Sequence, residues 1–180
     1  MLLAAPSSQL LVVDVQERLL PAMGAADACL ANIVRLSKAA RHLGLPITLS
    51  EQYPRGLGAT VAPIREACEG TAQILSKMTF SCGRDEAVAA RIGAGGSQLV
   101  LCGIEAHVCV LQSAIDFAVA HRNVFVVVDA VASREAASKD IALRRLETAG
   151  ATLVTTEMVI FEWLGRAGTA DFKALQPLIK

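Results

Sequence analysis

Three residues far apart in the chain combine reactive groups with unusual settings: Asp14, Lys77 and Cys109. Cys109 lies in "GIEAHVCVLQSAIDF", just past the glycine that ends the apolar run "QLVLCG" and at the opening of a long helical pattern. A thiol there is either a small packing residue or a nucleophile, because the unpaired N–H groups and dipole of a helix N-terminus lower a thiol pKa. The apolar stripe of the following helix reads Val108, Leu111, Ile115, Ala118 and Val119, and Cys109 falls off it, which turns the thiol toward a site. Asp14 closes the run "LLVVD". A carboxylate is costly to bury alone, so Asp14 is either a turn or capping residue or the general base that takes the cysteine proton. Lys77, in "ILSKMTFS", is either an ordinary exposed loop lysine or a cation brought near a carboxylate and a thiol, favouring both anions.

What must position these groups is a set of short, β-branched runs alternating with longer helical patterns. The predicted strands start at Gln9 ("QLLVVDV"), Pro46 ("PITLSE"), Ala72 ("AQILSK"), Gln98 ("QLVLCGI"), Asn123 ("NVFVVVDA") and Ala151 ("ATLVTTE"). Most are apolar on both faces, as in a parallel sheet covered on both sides. The predicted helices run from Asp27, a candidate N-cap, to Gly44, and through "DEAVAARIGAGG", "AHVCVLQSAIDFAVAH" and "SKDIALRRLETAG". This alternation predicts one α/β domain over residues 1–180, a three-layer doubly wound sheet of six mainly parallel strands in the order 3-2-1-4-5-6. In that order strands 1 and 4 flank the crevice at the carboxyl ends of the strands. Asp14 and Cys109 would then face each other, while Lys77 would have to reach back across strand 2.

Composition narrows the function classes. The 17 basic and 17 acidic side chains cancel, which gives no reason to expect a nucleic-acid partner. Apolar runs are all interrupted before membrane-spanning length, and the N-terminus has no basic n-region of a signal peptide. Five cysteines with no C-x-x-C or zinc-type spacing indicate a reduced, cytoplasmic setting. The hydrophobic fraction of 53% is high for a small monomer, and a homo-oligomer, a dimer or larger, is expected. Phe161, Trp163, Leu164 and Phe172 lie beyond the last strand and belong either to that interface or to a final helix packed on its own sheet. The glycines of "RIGAGGSQ" and "RAGTAD" follow helices rather than strands, so they are helix stops and not phosphate loops. No cofactor is expected.

The ordered set "VVDVQ", "SKMTFS", "GIEAHVCV" and "VVVDAVASR" resembles the isochorismatase-like cysteine hydrolases, the superfamily of nicotinamidases and N-carbamoylsarcosine amidase, over nearly the whole chain. The resemblance implies an Asp14–Lys77–Cys109 triad. It also implies an oxyanion hole made by the backbone N–H groups of Glu105 and Cys109, with a cis peptide between Ile104 and Glu105. It implies a cysteine-dependent hydrolase of a small-molecule amide or related C–N bond, acting through a thioester. Nicotinamidases carry a metal site after strand 2, built with an aspartate and histidines. Here that region reads "LSEQYPRGLG", and the three histidines, His42, His107 and His121, lie elsewhere. No metal is therefore expected, and "EQYPRGLG" is similar to the isochorismatase-domain hydrolase branch. Tyr53, Phe80 and His107 are candidate pocket residues, with ordinary packing or exposure as the alternative for each. Two other functions stay open. One is a thiol redox protein with Cys109 as peroxidatic and Cys82 as resolving thiol. The other is a catalytically silent binding protein.

Overall fold

Strand and helix alternate along the chain because β-branched apolar runs stop at turn residues and give way to capped amphipathic segments. The computed structural model describes residues 1–179. Six strands, β1 (Ser8–Val13), β2 (Ile47–Gln52), β3 (Ala72–Lys77), β4 (Gln98–Ile104), β5 (Asn123–Ala132) and β6 (Thr152–Val154), form one sheet in the order β3-β2-β1-β4-β5-β6. Every neighbouring pair is parallel. The helices are α1 (Ala26–His42), α2 (Pro54–Leu57), α3 (Ala62–Cys68), α4 (Glu86–Gly93), α5 (Leu111–Val119), α6 (Ala136–Thr148), α7 (Thr156–Leu164) and α8 (Ala170–Leu175).

The two-residue strand period sorts the core into two layers. Leu10, Val12, Val100, Cys102, Phe125 and Val127 pack with Ile33 and Leu36 of α1, Ile64 of α3 and Val159, Ile160 and Trp163 of α7. Leu11, Val13, Leu99, Leu101, Val124 and Val126 pack on the other face with Val88 and Ile92 of α4, Ala114 and Phe117 of α5 and Leu146 of α6. At Gly103, β4 leaves no room for a side chain beside β1. Its φ is 120°, and a Cβ there would run into the backbone of Val13, the residue before Asp14.

Several local expectations differ. Asp27 is not the N-cap of α1: Ala25 holds that place with φ 54° and makes no side-chain cap, and Asp27 sits in the first turn, favourable to the helix dipole. The run from Ala151 is strand only to Val154, because Thr155 caps α7 by accepting from the Met158 N–H. Trp163 is buried in its own core at 5% exposure, so the packed-helix alternative holds for it, whereas Phe161 is 45% exposed. The stripe predicted after Cys109 is also out of phase. Residues Ala106–Val110 form a π turn ahead of α5, and the extra residue per turn rotates the pattern. The buried residues are then Cys109, Val110, Leu111, Ser113, Ala114 and Phe117, while Val119 is 73% exposed.

Candidate active site

Asp14 follows β1 with φ 52°, a left-handed conformation that aspartate tolerates better than most residues. Its carboxylate is completely buried. Lys77, the last residue of β3, reaches over β2 and places Nζ 2.6 Å from Asp14 Oδ2, with both side chains fully out of solvent. The π turn after β4 brings the Cys109 thiol beside the same carboxylate and the same ammonium. The structure thus brings together the three residues singled out in the sequence.

The strand crossed by Lys77 supplies two partners that the sequence reading left out. Ser50 Oγ donates to Asp14 Oδ1 at 2.7 Å, and Gln52 Oε1 accepts from Lys77 Nζ at 2.8 Å. Thr79 and Phe80 carbonyls accept from the same ammonium at 3.2 Å each. Gln16 fixes Gln52 from both sides, accepting from its N–H at 2.8 Å and donating to its carbonyl at 3.0 Å. The available signal was the pair Ser50 and Gln52 in "ITLSEQ": two polar residues on one face at the carboxyl end of a strand.

Burial works against the Lys77 charge, but the Asp14 carboxylate outweighs it and holds the ammonium above its usual range. The Cys109 thiol is pushed up strongly, first by burial and then by the Asp14 carboxylate, with Lys77 pulling the other way. This corrects the expectation of a thiolate activated by the helix N-terminus. At 6% exposure and against a carboxylate, the resting group is a neutral thiol facing an ion pair. Cys82, fully buried, is likewise raised by burial and then by Asp14, while Lys77, Ser50 and Ser113 oppose.

Around the thiol, the peptide bond Ile104–Glu105 is cis. Val108 and Val110 donate to the Glu105 carbonyl at 3.1 and 3.2 Å. Outside the turn itself, neither the Glu105 nor the Cys109 N–H finds a backbone acceptor among the described residues. The Glu105 side chain accepts from Arg134 Nε at 2.8 Å. Such an arrangement can stabilise negative charge on an oxygen bound next to the sulfur.

The three candidate pocket residues differ in setting. The Tyr53 and Phe80 side chains are 48% and 56% exposed. They meet Lys77 through backbone groups, the Tyr53 N–H donating to the Lys77 carbonyl and the Phe80 carbonyl accepting from Nζ. His107 turns to Ser133, with Nδ1 2.9 Å from Oγ, and lines a groove with Arg84, Leu111 and Arg145. Asp129, in β5, accepts from the Thr156 N–H and hydroxyl in the first turn of α7. Among the described residues, no three His, Cys, Asp or Glu side chains gather as a metal-binding group, and no helix is long and apolar enough to cross a membrane.

Comparison with known proteins gives consistent results. The isochorismatase domain family model matches residues 8–158. Isochorismatase domain-containing protein 2 of Danio rerio is 36% identical over 179 residues, covering 98% of this chain and 89% of that protein. Its counterpart 2A of Mus musculus is 37% identical over 177 residues, covering 97% and 83%. The MAR1 ribonuclease of Caenorhabditis elegans superposes with a TM-score of 0.94 at 36% identity, covering 99% of this chain and 92% of that one. YcaC from Pseudomonas aeruginosa, in a structure with hexane-2,5-diol and covalent acrylamide, superposes with a TM-score of 0.91 at 25% identity, covering 98% and 91%.

Proposed function

This chain belongs to the isochorismatase-domain family, and on that footing we propose that it is a cysteine-dependent hydrolase of a small-molecule amide or related C–N bond. The observation that carries the reading is the buried Asp14–Lys77 pair with the Cys109 thiol against it. A buried ion pair is weak evidence for stability, and one placed beside a thiol at the carboxyl ends of the strands fits chemistry better. Cys109 attacks the substrate carbonyl as its proton passes to Asp14, so no free thiolate accumulates. Lys77 stays an ammonium and holds the Asp14 carboxylate in place through the 2.6 Å contact. The Glu105 and Cys109 N–H groups receive the oxyanion. The C–N bond breaks as Asp14 returns the proton to the leaving nitrogen. A water, deprotonated by Asp14, then cleaves the thioester and regenerates the thiol.

The covalent acrylamide of the Pseudomonas aeruginosa relative supports a nucleophile on this fold, since acrylamide is an electrophile that thiols add to. No metal or cofactor is assigned a step, and a reduced setting suits five free thiols. Assembly with copies of the same chain belongs to the proposal too, with exposed Met158 and Phe161 on α7 as candidates for the contact.

The name of the Caenorhabditis elegans relative points to a different reaction, cleavage of RNA. A chain of zero formal charge has little to hold a polyanion by counterion release, so a small molecule is the better substrate class. The redox reading draws on Cys82 lying by the same lysine, but burial that raises both thiols works against peroxide chemistry. The test is a hydrolysis screen of small amides, carbamates and ureides, with single-stranded RNA and peroxide as parallel arms. Turnover of a C–N compound that disappears in Asp14→Asn and in Cys109→Ala supports the proposal. Activity confined to the RNA or peroxide arm overturns it.

A further inference from the structure

We infer that Arg134 is a positioning residue for the oxyanion-binding peptide, acting through the side chain of Glu105. This rests on the hydrolase reading and adds a component to it. Glu105, the residue that offers the N–H, is held at its own carbonyl, in the following peptide unit, by the Val108 and Val110 N–H groups. At its side-chain end the hold is Arg134 Nε, 2.8 Å from Oε2.

The two ends of that ion pair differ in setting. The Glu105 side chain is 11% exposed and that of Arg134 59%. A nearly buried carboxylate that loses its guanidinium either stays unpaired, at a desolvation cost, or swings toward water and turns the peptide it hangs from.

The anchor is itself held. Ile104 pairs with Ala132 across β4 and β5, so Arg134 leaves the sheet two residues beyond that register, alongside the turn that carries Cys109. Between them, Ser133 meets His107 Nδ1 at 2.9 Å through its hydroxyl and accepts from the Gly24 N–H at 3.0 Å through its carbonyl. Two side-chain links, Glu105–Arg134 and His107–Ser133, therefore tie the turn around the thiol to the loop after β5. Only the first reaches the residue whose N–H faces the oxyanion. Oxyanion donors work within a few tenths of an ångström of 2.7–3.1 Å, so a small peptide rotation is enough to matter.

Two reactions of the same sulfur separate positioning from general disturbance. p-Nitrophenyl acetate acylates Cys109 through a tetrahedral oxyanion: the C–S bond forms, p-nitrophenolate leaves, and the thiol proton passes to Asp14. Iodoacetamide alkylates the same sulfur by displacing iodide, with no oxyanion at the reacting carbon. Both rates are read at Cys109 by peptide mass mapping in the wild type, Arg134→Met and Arg134→Lys. Arg134→Met should acylate about five- to tenfold more slowly, short of the roughly 10²–10³ lost when a donor is removed outright. Its alkylation rate should match the wild type, and Arg134→Lys, which keeps a donor and the charge, should fall between. Unchanged acylation in Arg134→Met, or an equal fall in both reactions, overturns the inference while leaving the hydrolase reading intact. Absence of Cys109 acylation in the wild type removes the hydrolase reading and this inference with it.

Discussion

Replacing Lys77 by Met removes an ammonium that four oxygens hold: Asp14 Oδ2, Gln52 Oε1 and the carbonyls of Thr79 and Phe80. Methionine keeps most of the side-chain volume, so the loss is electrostatic rather than a cavity. Breaking one side of a buried pair costs about 3–5 kcal/mol, because the partner charge stays buried and uncompensated. A urea dependence of about 2 kcal/mol per molar turns that into a midpoint lower by roughly 2 M. Asp14→Asn leaves the opposite orphan, a buried ammonium, and should cost a similar amount. Asparagine is the right substitute there, since it tolerates the φ of 52° and keeps an acceptor for Ser50. The double variant leaves neither charge behind. Its loss should fall short of the summed single losses by about 3 kcal/mol or more. The assay is a double-mutant cycle from urea unfolding followed by circular dichroism, with hydrolysis measured in parallel and absent in all three variants. Additive losses, or a Lys77→Met protein within about 1 kcal/mol of wild type, would refute the view that these two charges form one buried unit.

Stability should fall at alkaline pH. Burial pushes Cys29 up to about 12 and also raises Cys68, Cys82, Cys102 and Cys109. The folded state therefore keeps protons that the unfolded chain releases above its thiol value of about 8.5. The stability is full below that pH and lost above it, by up to about 1.4 kcal/mol per pH unit for each thiol. Raised Lys77 adds to the loss only above about pH 10. Urea midpoints should be level near neutrality and fall beyond about pH 9; a level profile to about pH 10.5 contradicts the burial of these thiols. Gly103→Ala should destabilise by about 3 kcal/mol or more, since it adds a Cβ against the Val13 backbone at a φ of 120°, and a wild-type melting temperature would refute the close approach. Light scattering should give a mass at least twice 18.9 kDa, with Phe161→Glu lowering it. Trp163→Ala should instead cost about 3–5 kcal/mol of monomer stability, as expected of a 5% exposed side chain. A monomeric wild type would remove the oligomer.

Strand order and both core layers were legible because parallel strands buried on two faces carry near-continuous apolar runs. Asp14 and Cys109 were legible because a carboxylate and a thiol at strand ends break that pattern. Ser50 and Gln52 are ordinary polar residues in the sequence, and their place beside Asp14 and Lys77 follows from β2 lying between β1 and β3. The phase of α5 was misread because nothing in "AHVCV" announces a π turn, and one extra residue exchanged Val119 for Phe117 in the core. The direction of the Cys109 shift was misread for a related reason. Burial and the neighbouring Asp14 carboxylate push the thiol up, and both the depth of Cys109 and the place of that carboxylate are properties of the assembled sheet.

Cys109 is expected to carry the acyl group. Once a C–N substrate is found, turnover is quenched in acid and the peptides are mapped by mass spectrometry. The account predicts an acyl adduct on Cys109 alone, formed and lost at the rate of product release, with no adduct on Cys82. It also predicts no adduct anywhere in Asp14→Asn. Continued turnover by Cys109→Ala, or an acyl group on another residue that forms at the catalytic rate, would contradict it.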